Sequence, residues 1–124
     1  MVSLPARLRT ARNNPFNEVL KAKVRLVFGS DCMPFSPLYG LHSAANAPYP
    51  SQRISAFDGL AAYTRDAAYA SFEEKDKGTL CEGKFADFVV LSGDPLADSR
   101  HISSIQVLKT VIAGEVVYER SLRG

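Results

Sequence analysis

The 124-residue sequence predicts an α/β protein that is βα-like over residues 1–72 and β over residues 73–124. Three observations carry this. Small and apolar residues recur at helical spacing in the first part, with Phe57, Leu60, Ala61, Thr64, Ala67 and Ala68 as the clearest stripe. Val24-Arg25-Leu26-Val27-Phe28 is a nearly continuous apolar run and reads as a strand covered on both faces, as in a parallel sheet. Beyond Gly78 the pattern changes to short β-branched runs punctuated by glycine and proline.

The elements follow in order. Asn14-Pro15 supplies an N-cap residue and a proline for the first helical position, opening a helix whose Phe16, Val19 and Leu20 share a face. The strand at residues 24–28 stops at Gly29-Ser30-Asp31. Ser36-Pro37 repeats the cap-plus-proline device and starts a helix over residues 37–46, and the two prolines of Ala47-Pro48-Tyr49-Pro50 forbid its continuation. Ser55-Ala56-Phe57-Asp58 is a capping box with Asp in place of Glu, and its helix runs to Ala70. Residues 85–91 form a strand entered through Gly83-Lys84 and closed by Gly93-Asp94-Pro95. Residues 107–112 and 115–119 form two more, joined at Ala113-Gly114 as a hairpin. No internal repeat and no low-complexity tract interrupts this order.

Composition sets the outer limits. A chain 46% hydrophobic and 23% charged is not disordered, collagen-like or a coiled coil. Its net charge of +2 is too small to imply a nucleic-acid partner. Residues 1–30 hold six basic side chains against Glu18 alone, a net +5, which reads as a solvated face or a contact with acidic protein surface. No apolar run approaches the roughly 18–20 residues that span a bilayer, so no membrane is expected. The start lacks the apolar region of a secretory signal. Cys32 and Cys81 stand far apart with no CxxC spacing, which points to a reduced, cytoplasmic protein rather than a disulfide framework. A complete (β/α)8 barrel needs roughly 200–250 residues and cannot be whole here.

The segment Phe28-Gly29-Ser30-Asp31-Cys32-Met33-Pro34 is the best place for chemistry. A buried strand ends in glycine and delivers a carboxylate beyond its C-terminal edge, where ligands collect in parallel α/β folds. Asp31 there can ligate a divalent metal or accept a proton from water, or it can cap a turn or pair with an arginine. Cys32 lines a pocket or is an inert thiol. His42 and His101 are the only histidines and have neither HxH nor HExxH spacing, so both read as structural or surface residues. A triad of Ser43, His42 and Asp31 fails because adjacent helix positions point about 100° apart. Asp87 reads as a maker of structural hydrogen bonds, and Gly78, Gly83 and Gly93 as isolated turn glycines.

One ordered series ties these pieces together. Gly29-Ser30-Asp31-Cys32-Met33-Pro34 is followed by Pro37-Leu38-Tyr39-Gly40, Gln52-Arg53-Ile54-Ser55, Ala61-Ala62-Tyr63-Thr64 and Ala67-Ala68-Tyr69-Ala70. Lys77-Gly78-Thr79-Leu80, Glu82-Gly83-Lys84-Phe85-Ala86-Asp87-Phe88-Val89-Val90-Leu91 and Gly114-Glu115-Val116-Val117-Tyr118 come next. From Asn14 to Arg120 this resembles the C-terminal segment of the YtcJ-like metal-dependent amidohydrolases (amidohydrolase family 3).

The resemblance implies the last βα portion of an amidohydrolase (β/α)8 barrel over residues 1–72. It implies the C-terminal strands of a composite β-sandwich domain over residues 73–124. Residues 24–31 would be the eighth barrel strand. Asp31 would be the catalytic aspartate after it, touching the metal (zinc first), accepting a proton from water and passing it to the leaving nitrogen. Cys32 and Met33 would line the substrate pocket. The family's HxH pair, bridging ligand and later histidines have no counterpart in this chain. The sequence therefore reads as a truncated reading frame, half of a split enzyme or a deliberately shortened chain, with metal bound only if another chain supplies ligands. Expected partners are a second copy or a complementary N-terminal amidohydrolase chain. The expected activity is hydrolysis of carbon–nitrogen bonds other than peptide bonds, and the alternative is a non-catalytic structural or interaction remnant.

Overall fold

The computed structural model describes residues 10, 12–32 and 34–121. Among the described residues, helices α1 (Phe16–Lys21), α2 (Pro37–Ala45), α3 (Ala56–Tyr63) and α4 (Arg65–Ala70) come first. Three strands follow, β1 (Phe88–Leu91), β2 (Val107–Ile112) and β3 (Glu115–Glu119), with a 3-10 helix (Ser99–Ser104) between the first two. The strands form one antiparallel sheet in the order β1-β2-β3, so β1 and β3 are its edges. Fold class is thus mixed helix and strand, and among the described residues the sheet is antiparallel, not parallel.

Local chemistry explains most boundaries. Ser36 caps α2, its hydroxyl accepting from the Tyr39 amide at 3.2 Å, with Pro37 behind it. Ser55 caps α3 by accepting from the Asp58 amide at 3.0 Å. Asp58 answers by accepting the Ser55 hydroxyl proton at 2.6 Å instead of reaching the cap's main chain. The hairpin closes through Ala113 and Gly114, both at positive φ (51° and 83°), the conformation of a two-residue turn whose twist matches its strands.

The expected strand at residues 24–28 is not one. Residues 24–30 lie outside any ladder, because a strand takes its hydrogen bonds from neighbours and none runs alongside among the described residues. The Phe28 amide instead donates to the Ala62 carbonyl of α3 at 3.1 Å. Helix α1 begins one residue later than expected. Pro15 is its N-cap without a side-chain cap, while Asn14 takes a left-handed turn (φ 50°). The single helix expected to reach Ala70 breaks at Thr64 (φ −123°, ψ −90°), whose hydroxyl donates to the Leu60 carbonyl at 2.6 Å. Such back-bonding to the preceding turn bends helices. The first β strand starts at Phe88 rather than residue 85.

The core is small. Leu41 of α2 and Ile102 of the 3-10 helix are fully buried, with Ala45 beside them and Leu38, Ala56 and Leu60 packed around. Burying each of the two large side chains is worth about 1.5–3 kcal/mol. Asn46 fastens this contact, its amide donating to the carbonyls of His42 and Ser99, each at 2.9 Å.

Candidate functional site

Residues 24–30 run against the helices and end in the loop that carries Asp31. The Phe28 ring stands edge-on between Phe16 (centroids 5.1 Å) and Tyr63 (5.4 Å). Three residues upstream, the Arg25 guanidinium lies over the Tyr69 ring at 3.6 Å and faces the Asp66 carboxylate at 3.8 Å. In a flat pleated strand, residues three apart point to opposite faces. Here both reach the helical layer, so the segment departs from a two-residue repeat.

At the end of this segment Asp31 adopts a left-handed conformation (φ 57°), which aspartate tolerates better than most residues. The residue is exposed. Cys32 is also exposed, and its amide donates to the Ser30 carbonyl at 2.6 Å. Met33 lies outside the described residues. Ser30, Cys32, Ser36, Tyr39, Ser43 and Tyr63 line a hollow of about 240 Å³ beside the loop, rich in hydroxyls and free of charge. Asp31 is not in its wall. Burial pushes the Tyr63 phenol above its ordinary value, so it stays a neutral donor at physiological pH.

The histidines stand apart from this loop's chemistry. His42 is half-buried, its Nδ1 at 3.3 Å from the Asn46 side-chain amide. His101 is exposed and pairs with Asp98 at 3.0 Å. The Arg100 guanidinium, together with its amide, holds the Asp98 carboxyl well below the usual carboxylate range. Among the described residues no three His, Cys, Asp or Glu side chains cluster closely enough to hold a metal ion.

Asp87 is structural, as its sequence context suggested: it accepts from the Ala113 amide at 2.7 Å and anchors the hairpin turn. Lys84, immediately after the Glu82-Gly83 turn, has a matching role that its sequence did not reveal. Its ammonium donates to the Glu74 carbonyl and to the Thr79 hydroxyl (2.8 Å), holding the turn of residues 74–79. Sequence reasoning also missed Asp66, 8% exposed and held by Arg65 in two bonds of 3.1 and 3.2 Å. The available signal was an acid inside the apolar stripe of a helix.

Fold and loop together define a helix-and-sheet segment that presents the Asp31 carboxylate on an exposed loop, without a closed catalytic centre among the described residues. The chain belongs to the amidohydrolase family, whose profile it matches over residues 2–118. It is 38% identical over 106 residues to the YtcJ protein of Bacillus subtilis (strain 168), covering 75% of this chain and 20% of that one. It is 32% identical over 117 residues to an N-substituted formamide deformylase of Arthrobacter pascens, covering 86% and 22%. In fold it is similar to an amidohydrolase from Thermotoga maritima, with a TM-score of 0.64 at 24% identity, covering 83% of this chain and 25% of that one. The chain spans about a fifth of the length of these two curated relatives. The YtcJ-like resemblance read in the sequence therefore holds.

Proposed function

We propose that the chain is a C-terminal portion of a hydrolase acting on carbon–nitrogen bonds other than peptide bonds, with amides or formamides as substrates. The observation that carries this is the Gly29-Ser30-Asp31 loop inside the family-matched segment, its carboxylate exposed at the end of residues 24–30. The formamide deformylase among its relatives supports the substrate class. Asp31 accepts a proton from the attacking water and returns it to the departing nitrogen, the work of a general base turned acid. Cys32 stands in the adjoining hollow and Met33 follows it, the two contributing to the substrate's surroundings.

The chain's own donors do not fit a metal ion. A hydrolytic zinc site takes about three protein ligands, and here one exposed carboxylate stands without a cluster among the described residues. A divalent metal, zinc first, belongs to this reading only with ligands from another polypeptide. In that assembly residues 24–31 are the eighth strand of a barrel, and residues 78–119 are part of a composite sandwich. The companion is a complementary N-terminal amidohydrolase chain or a second copy, in the cytoplasm. Among the described residues no helix is long and apolar enough to cross a membrane.

The lack of a ligand cluster among the described residues favours a second reading, a non-catalytic structural or interaction module. Amidase assays and bound-zinc measurements separate the two, using the chain alone and with an HxH-bearing N-terminal amidohydrolase polypeptide. The first reading expects activity only in the mixture, lost by about 10²–10⁴-fold in Asp31→Asn. Silence in the mixture, or activity indifferent to Asp31→Asn, overturns it.

A further inference from the structure

The path of residues 24–30 is set by contacts with the helices rather than by a sheet. Two anchors do this: the Phe28 amide and ring against α1 and α3, and the Arg25 guanidinium against α4. The second is unusual for its components. Asp66 is buried, and an under-compensated buried carboxylate is strongly unfavourable. Arg65 fills both its oxygens from one side, and Arg25 approaches Oδ1 from another at 3.8 Å while its flat face covers Tyr69. A planar delocalised cation can do both at once, whereas an ammonium cannot. Arg25 is the one polar residue in an otherwise apolar run, six positions before Asp31.

We infer that Arg25 is a positioning residue: clamped between the Asp66 carboxylate and the Tyr69 ring, it fixes the path of residues 24–30 and with it the place from which Asp31 is presented. The inference rests on the role proposed above for Asp31, but its test reads geometry and not turnover.

The experiment is amide hydrogen exchange by NMR on the full 124-residue chain, with carbon chemical shifts recorded for Asp31. In Arg25→Gln the Phe28 amide exchanges about tenfold faster or more, while amides of the β2–β3 hairpin stay within about twofold. The left-handed shift signature of Asp31 averages toward coil in the same variant. Tyr69→Leu reproduces both effects from the other side of the clamp, Tyr69→Phe retains the wild-type pattern, and Arg25→Lys recovers only part. Unchanged Phe28 exchange in both Arg25→Gln and Tyr69→Leu overturns the inference, as does a rise shared equally by the hairpin. A wild-type-like Arg25→Lys overturns the stacking part of the clamp. An inactive complemented enzyme, by contrast, sinks the function proposed for Asp31 and leaves these exchange rates where they are.

Discussion

At the scale of single residues, close approach is the strongest constraint near the candidate loop. Gly40 sits in the second turn of α2, and a Cβ placed on it would overlap the Tyr63 hydroxyl. Tyr63 in turn supports Phe28. Gly40→Ala must therefore displace a ring that holds the Asp31 segment, and overpacking of this kind costs about 1–3 kcal/mol. The loss should shrink in a Tyr63→Phe background, because the clashing atom is gone. A double-mutant cycle on urea midpoints checks this, and strictly additive losses would show that the two positions do not meet. How much of this was legible varies with the residue. Asp87 could be assigned a structural role because an acid between apolar strand residues has few other uses. Tyr63 and Asp66 could not be assigned, because their roles depend on Gly40, Phe28 and Arg25, brought to them only by the fold.

At the scale of elements, the hairpin and the segment of residues 24–28 make an instructive pair. Both are β-rich in sequence, yet only the hairpin forms strands. Its two halves are neighbours along the chain, so the turn and the pairing are encoded together: Lys109 lies opposite Glu119 with 2.9 Å between their charged atoms. Residues 24–28 have strand composition but no partner among the described residues, and composition alone cannot supply one. The Thr64 break was hidden for another reason. Threonine is compatible with a helix until its hydroxyl turns back on the Leu60 carbonyl. The turn itself carries a correctable flaw. Ala113 is held at φ 51°, a conformation that disfavours most residues with a Cβ but that asparagine tolerates because its short polar side chain can hydrogen-bond locally. Ala113→Asn should therefore raise stability by about 1 kcal/mol, seen as a higher urea midpoint with an unchanged slope. No gain would mean that this turn does not set the hairpin's geometry.

At the scale of the whole molecule, surface is the telling quantity. Among the described residues large apolar side chains stand in solvent, Phe35 at 72%, Phe72 at 90% and Leu80 at 70% exposure. Much of the exposed apolar area lies on the sheet, where Val89 of β1 is 50% and Val117 of β3 is 57% exposed, and both strands are edges. Unpaired, apolar edge strands invite further strands, and a lysine on an edge discourages them. The companion proposed above thus has a physical correlate in the chain's own surface, and it makes a prediction that needs no substrate. Sedimentation velocity of the purified chain should show association that grows with concentration. Val89→Lys with Val117→Lys should shift the distribution toward monomer while changing unfolding midpoints little, since exposed substitutions usually matter by less than about 0.5 kcal/mol. A wild-type chain that stays monomeric across the micromolar range would show that this surface is stable in water, and the case for a companion would then have to rest on the missing ligands alone.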